Sequence, residues 1–172
     1  MQYLFISDAH GDIKILEKIF KAFNVRSTQI FYNGDSELAA NDPVFLNVLT
    51  VKGNMDFDSQ YAKKNIYVGT EVTIFQTHGH LYDVNWTLAE LIKTAKKNNA
   101  QIVTFGHTHQ LGVEKIEDLL VINPGSISQP RGTYAKYGGT FALLTVTPES
   151  YIVEYFDRDL TLLNELTTKF SR

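Results

Sequence analysis

Apolar residues open the chain in short runs whose period changes from run to run. Tyr3 to Ile6 is an unbroken apolar stretch of strand length, and Ile13, Leu16, Ile19, Phe20 and Phe23 follow at helical spacing, which predicts an N-terminal βα unit. Asp12 stands at the helix start, where a carboxylate caps free N–H groups and meets the positive end of the helix dipole. Gln29 to Tyr32 predicts a second strand, Pro43 to Val48 a short helix, and Leu49 to Val51 a third strand. Ile66 to Val68 and Val72 to Gln76, around Gly69, read as a hairpin; Val84, Leu88, Leu91, Ile92 and Ala95 read as an amphipathic helix ending near Asn98. Strands then dominate: Ile102 to Phe105, Gly112 to Ile116, Leu119 to Ile122, Thr140 to Val146 and Tyr151 to Phe156 are expected to build a second, largely antiparallel sheet. With no linker or repeat, residues 1–172 are expected to form one α/β domain.

On that map the polar residues share an address. Asp8 and His10, Asp35, Asn54, His78 and His80, and His107 and His109 each follow a predicted strand, and in α/β sheets ligands bind beyond the carboxyl ends of strands. All five histidines fall in these clusters, as DAH, HGH and HTH. An i, i+2 pair on extended backbone puts two side chains on one side, an arrangement suited to chelating one metal or two adjacent ones. Singly, each cluster reads more readily as a turn or a solvated surface; together, with glycine beside most of them, they predict a metal site. The chain has no cysteine, so any metal must be held by His, Asp, Glu or Asn.

The ordered series DAH, NGD, GNMD, THGH, GHTH and NPGS, spanning residues 8–126, resembles the motifs of the calcineurin-like metallophosphoesterases. It is especially similar to their small bacterial and archaeal phosphodiesterases, whose compact chains also resemble the retromer scaffold subunit. The resemblance implies two β-sheets packed as a sandwich flanked by α-helices, in agreement with the reading above. It further implies one metal at Asp8, His10 and His109, a second at Asn54, His78 and His107, and Asp35 as the bridge. Two divalent transition-metal ions would then hydrolyse phosphate esters, most readily phosphodiesters, by attack of a metal-bridging hydroxide. The donor set suits Mn²⁺ first, with Zn²⁺ or Fe as alternatives, and suits Mg²⁺ poorly. Asn54 ligates without adding charge and so keeps the cluster attractive to phosphate. Asp56 is assigned to orienting a ligand or loop, and His80 to donating a hydrogen bond to a ligand from behind or to contacting the substrate. Arg131 of QPRG is a candidate grip on a phosphate oxygen, with a solvated loop arginine as the equal alternative.

Many superfamily members carry histidine after the GN of the third motif, where it protonates the leaving group, whereas this chain has Met55. Trp86 and the other aromatics near the motifs, in a chain with 12% aromatic content, are assigned to the core rather than to stacking on a base or aryl ester. The formal charge of −3 lacks the excess of lysine and arginine that nucleic-acid binding usually shows and speaks against a nuclease. The YLFI run lacks the length and basic flank of a signal peptide, and no apolar stretch is long enough to span a membrane, so the expectation is a cytoplasmic protein acting on a small phosphate ester. A homo-oligomer is left open. Of the rivals, a metal-dependent amidohydrolase needs a (β/α)₈ barrel of about 250 residues. A noncatalytic scaffold of the same fold is the stronger alternative, and the complete ligand set favours catalysis over it.

Overall fold

The computed structural model describes residues 1–23 and 27–172. Strand β1 (Gln2–Ile6) leads through the Asp8 turn into helix α1 (Ile13–Phe23), and β2 (Thr28–Tyr32) and β3 (Val48–Thr50) follow parallel to β1. Asp12 caps α1 as expected, accepting from the Ile15 N–H at 3.2 Å, while its other oxygen pairs with Arg158 at 2.6 Å. The helix expected over Pro43 to Val48 is a single 3₁₀ turn, Pro43–Phe45, because Leu46 already adopts extended backbone.

Strands β4 (Lys64–Val68) and β5 (Thr73–Thr77) form the expected hairpin. Helix α2 runs only over Ala89–Lys97 and does not begin at Val84. Trp86 and Thr87 both donate their N–H to the Asp83 carbonyl, and Thr87 Oγ1 accepts from the Ala89 N–H, so the residues before Ala89 form a turn. Val84 is buried from that turn, which is why it fell into the helical period.

The remaining strands are β6 (Ile102–Thr104), β7 (Gly112–Ile116), β8 (Leu119–Asn123), β9 (Thr140–Val146), β10 (Ser150–Asp157) and β11 (Thr168–Ser171). They do not form a sheet of their own. One sheet has the order β11-β10-β9-β1-β2-β3 and the other β4-β5-β6-β8-β7. Strands β6 and β8 are buried along their whole length and β9 nearly so, which requires neighbours on both sides. Accordingly β9 pairs antiparallel with β1, and β6 lies parallel to β5 and β8. Strand β11, unpredicted, is an edge strand with one apolar residue, Phe170, and so carries almost no hydrophobic signal.

The two sheets face each other, as expected of a sandwich. Tyr3 and Phe5 of β1 point between them with Phe31, Ile74, Ile102 and Leu144, while Leu4 and Ile6 face the other way, onto Leu16, Ile19 and Phe20 of α1. Helix α2 covers the second sheet through Leu91 and Ala95 against Phe75 and Val103. Near the site a polar tie crosses between the sheets: Gln76 Nε2 donates to the Tyr32 and Leu49 carbonyls at 2.9 and 3.0 Å, and Asn33 Nδ2 donates to Thr104 Oγ1 at 2.7 Å. Strands β1, β2 and β3 are mutually parallel, as are β5, β6 and β8, and the loops after these strands carry every motif of the sequence.

Candidate metal centre

Asp8, His10, Asp35, His107 and His109 all have positive φ, between 46° and 66°. Left-handed backbone costs a non-glycine residue about 1–2 kcal/mol, so five such residues in one place mark a site that the surrounding fold holds in shape. This also corrects the geometric argument from spacing. The i, i+2 pairs converge because the chain turns sharply at each of them, and the backbone there is not extended.

Buried polar side chains tie these turns together. Asp56, 2% exposed, accepts from the N–H groups of Asp35 (2.8 Å), Ser36 (2.9 Å), Glu37 (2.8 Å) and Gly53 (2.8 Å) and from Ser36 Oγ (3.0 Å). It thereby clamps the Asp35 loop to the Asn54 loop, the orienting role expected of it. Ser126 Oγ donates to the Asp8 carbonyl and accepts from the Ser128 and Gln129 N–H groups, bringing the NPGS loop against the DAH turn. Asn123 Nδ2 donates to the Gly106 carbonyl and to Thr108 Oγ1, each at 3.0 Å, which fixes the GHTH turn. Two glycines are required by contact. A Cβ at Gly53 would overlap the Asp35 carboxylate, and one at Gly106 would overlap Ser7 Oγ and lie 2.7 Å from Asp8 Oδ2.

Two groups of side chains could each hold a metal ion, Asp8 with His10 and His109, and Asp8 with Asp35 and His78; within each, the donor atoms lie within 4.8 Å of one another. Asp8 belongs to both. Three histidines are held through Nδ1 by oxygen acceptors: His10 by Glu37 at 2.8 Å, His78 by the Asn33 carbonyl at 2.7 Å, and His109 by the Gln129 carbonyl at 2.8 Å. The proton on Nδ1 is fixed by these contacts, and Nε2 is left to face the centre. There His10 Nε2 and His109 Nε2 stand 3.3 Å apart, and His78 Nε2 lies 3.1 Å from Asn54 Oδ1 and 3.3 Å from Asp35 Oδ2. Asp8 Oδ1 is 3.3 Å from His109 Nε2 and 4.0 Å from His78 Nε2, yet it is fully buried and has no aligned hydrogen-bond donor among the described residues. Lone pairs converging around an unsatisfied buried carboxylate oxygen need a cation between them, so the donor set fits a metal centre.

The electrostatics agree. Burial opposes protonation of His78 and His109, but contact with Asp35 and Asp8 for the first, and with Asp8 for the second, outweighs it and raises both above the ordinary histidine value. Burial also works against ionisation of Asp35, but His78 and the Met55 N–H, 2.7 Å from Oδ1, bring its carboxyl below the usual range. Burial, with His78 and His107 nearby, pushes His80 down to about 4.

Every residue of the expected ligand set reaches this centre. His10, Asp35, Asn54, His107 and His109 line one cavity of about 320 Å³ with Glu37, Met55, Gln129 and Arg131. Arg131 thus stands at the site, its N–H donating to the His109 carbonyl at 2.9 Å. His80 packs beside His78, with ring centroids 5.3 Å apart, and lies outside the cavity wall. Trp86, expected in the core, is 90% exposed, and Phe57 is 87% exposed. Sequence reasoning missed Glu37, Asn33 and Gln129, which orient histidines. Glu37 alone left a signal, as a carboxylate two residues beyond the NGD motif.

Residues 1–149 match the model of the calcineurin-like phosphoesterase superfamily domain. The chain is 33% identical over 158 residues to the Probable metallophosphoesterase YsnB of Bacillus subtilis, covering 92% of each chain. It is 25% identical over 165 residues to Phosphodiesterase YfcE of Escherichia coli K12, covering 80% of this chain and 86% of that one. A crystal structure of a conserved uncharacterised protein from Streptococcus pneumoniae TIGR4, described as a predicted phosphoesterase, superposes with a TM-score of 0.95 at 34% identity, covering 99% of this chain and 97% of that one. Fold, converging donors and relatives agree, and the chain belongs to the calcineurin-like phosphoesterase superfamily as a metal-dependent phosphoesterase.

Proposed function

We propose that the protein is a phosphodiesterase whose dinuclear centre would take Mn²⁺, with Asp8, His10 and His109 as the residues to hold one ion, Asn54, His78 and His107 as those to hold the other, and Asp35, beside the Asp8 common to both donor groups, shared by the two. The observation that carries this reading is the convergence of three histidine Nε2 atoms and Asn54 Oδ1 on the buried, unpartnered Asp8 Oδ1. The mixed nitrogen and oxygen donors, without sulfur, suit Mn²⁺, with Zn²⁺ or Fe as alternatives, better than Mg²⁺. Bound divalent cations supply the Lewis acidity that ionises an attacking water and neutralises phosphate charge. Arg131, on the cavity wall, offers its fork of donors to a phosphate oxygen. The name of the E. coli relative supports a diester substrate. The proposed substrate is a small cytoplasmic ester, and exposed Met55 on the cavity wall suits an ester with an apolar group.

Met55 lines the cavity where a proton donor would serve the leaving group, and a thioether has no proton to give. His80 lies outside the cavity wall, and burial with His78 and His107 nearby pushes it down to about 4, so it is poorly placed to replace that donor. The departing oxygen must leave as an anion, so activity should depend steeply on its pKa. General acid catalysis contributes about 10²–10⁴-fold, and alkyl diesters should lag aryl diesters with acidic phenols by a factor of that order. A kcat/KM series over substituted phenyl diesters, with matched monoesters, tests both claims. Diesters should exceed monoesters, and Met55→His should flatten the slope by raising rates for the poorest leaving groups. A shallow slope in the native chain, with chemistry rate-limiting, would reveal another acid.

A further inference from the structure

Asn85 holds His107 differently from the way the other histidines of the centre are held. His10, His78 and His109 are each fixed through Nδ1 by an oxygen. His107 is fixed through Nε2, which lies 3.0 Å from the Asn85 side-chain amide. Although exposed, Asn85 is well placed. Its neighbour Val84 is buried in the same apolar cluster as Phe105, two residues before His107, and the Trp86 and Thr87 N–H groups close the turn on the Asp83 carbonyl.

An amide has two faces, and they prepare the ring for opposite states. With its nitrogen toward His107, the amide donates to Nε2 and the ring keeps its proton on Nδ1. With its oxygen toward the ring, Nε2–H donates to the amide and Nδ1 is left with a free lone pair. We infer that Asn85 is a positioning residue for His107, accepting from Nε2–H in the metal-loaded protein so that Nδ1 is the ligating atom, and turning its nitrogen to the ring when the metal is absent. This rests on the proposal that His107 is a ligand. Loss of such a partner typically weakens metal affinity about 10–100-fold.

The test is calorimetric titration of chelated protein with Zn²⁺, combined with long-range ¹H–¹⁵N spectra of the histidine rings in the loaded protein. Wild type should bind two ions, with the His107 proton on Nε2. In Asn85→Ala one ion should bind 10–100-fold more weakly while the other changes less than twofold. Asn85→Asp, whose carboxylate can only accept, should restore the weakened ion. Two ions bound by Asn85→Ala with wild-type affinities, or a His107 proton on Nδ1 in the loaded wild type, would overturn the role of Asn85 and leave the proposed function standing. Failure of wild type to take a second ion would instead overturn the ligand assignment on which the role depends.

Discussion

Replacing Asp56 with alanine is expected to destabilise the protein by about 3–5 kcal/mol, the cost of breaking a buried, hydrogen-bonded charge. The carboxylate accepts four backbone N–H bonds and one hydroxyl bond from residues 35–37 and 53. Removing it strands these donors where water has little access, since Asp35, Ser36 and Gly53 are buried. Asp56→Asn should recover part of the loss, because an amide oxygen still accepts but its nitrogen opposes donors. Urea unfolding of the metal-free proteins measures the difference. A loss below 1 kcal/mol for the alanine variant would show that the loop clamp is dispensable.

Asp8→Asn is expected to have the opposite profile, although Asp8 is equally buried. Because Asp8 is the residue shared by both candidate metal groups, turnover should fall by about 10³-fold or more, the scale of lost metal-ion catalysis. At alkaline pH, where the neighbouring histidines are neutral and no longer pair with Asp8, the metal-free variant should be as stable as wild type or more stable by about 1–2 kcal/mol, since it removes a buried charge. Asp56 is satisfied by the fold itself, whereas Asp8 awaits a cation. Activity and unfolding measured on one preparation separate the two roles. A metal-free Asp8→Asn protein several kcal/mol less stable than wild type at that pH would make Asp8 a structural residue.

What could be read from the chain and what could not divide along physical lines. The strand-end clusters were legible because a carboxylate or histidine directly after an apolar run is a side-chain signal, and the fold brings Asp8, His10, Asp35, Asn54, His78, His107 and His109 to one place. Helix α1 was legible from its period and its Asp12 cap. Strand partners were not: the apolar pattern of β9 says that both faces are buried and nothing about whether β1 or β8 lies beside it. The orientation of the histidines was also hidden, since two of the three Nδ1 partners are main-chain carbonyls, at Asn33 and Gln129, and any residue type supplies those. Trp86 misled because an exposed tryptophan is indistinguishable by composition from a core one, and only its place on the turn beside Asn85 shows it to be open to solvent. The sharing of Asp8 between the two groups emerges only from the distances; the motifs implied Asp35 for that position.

The most direct test is to add Mn²⁺ stepwise to chelated protein while following hydrolysis of bis(p-nitrophenyl) phosphate and metal content together. Activity should be absent in the metal-free protein and rise to a plateau at two ions per chain. Full turnover after exhaustive chelation, or a protein that takes up two ions per chain and hydrolyses neither this diester nor its monoester, would contradict the account.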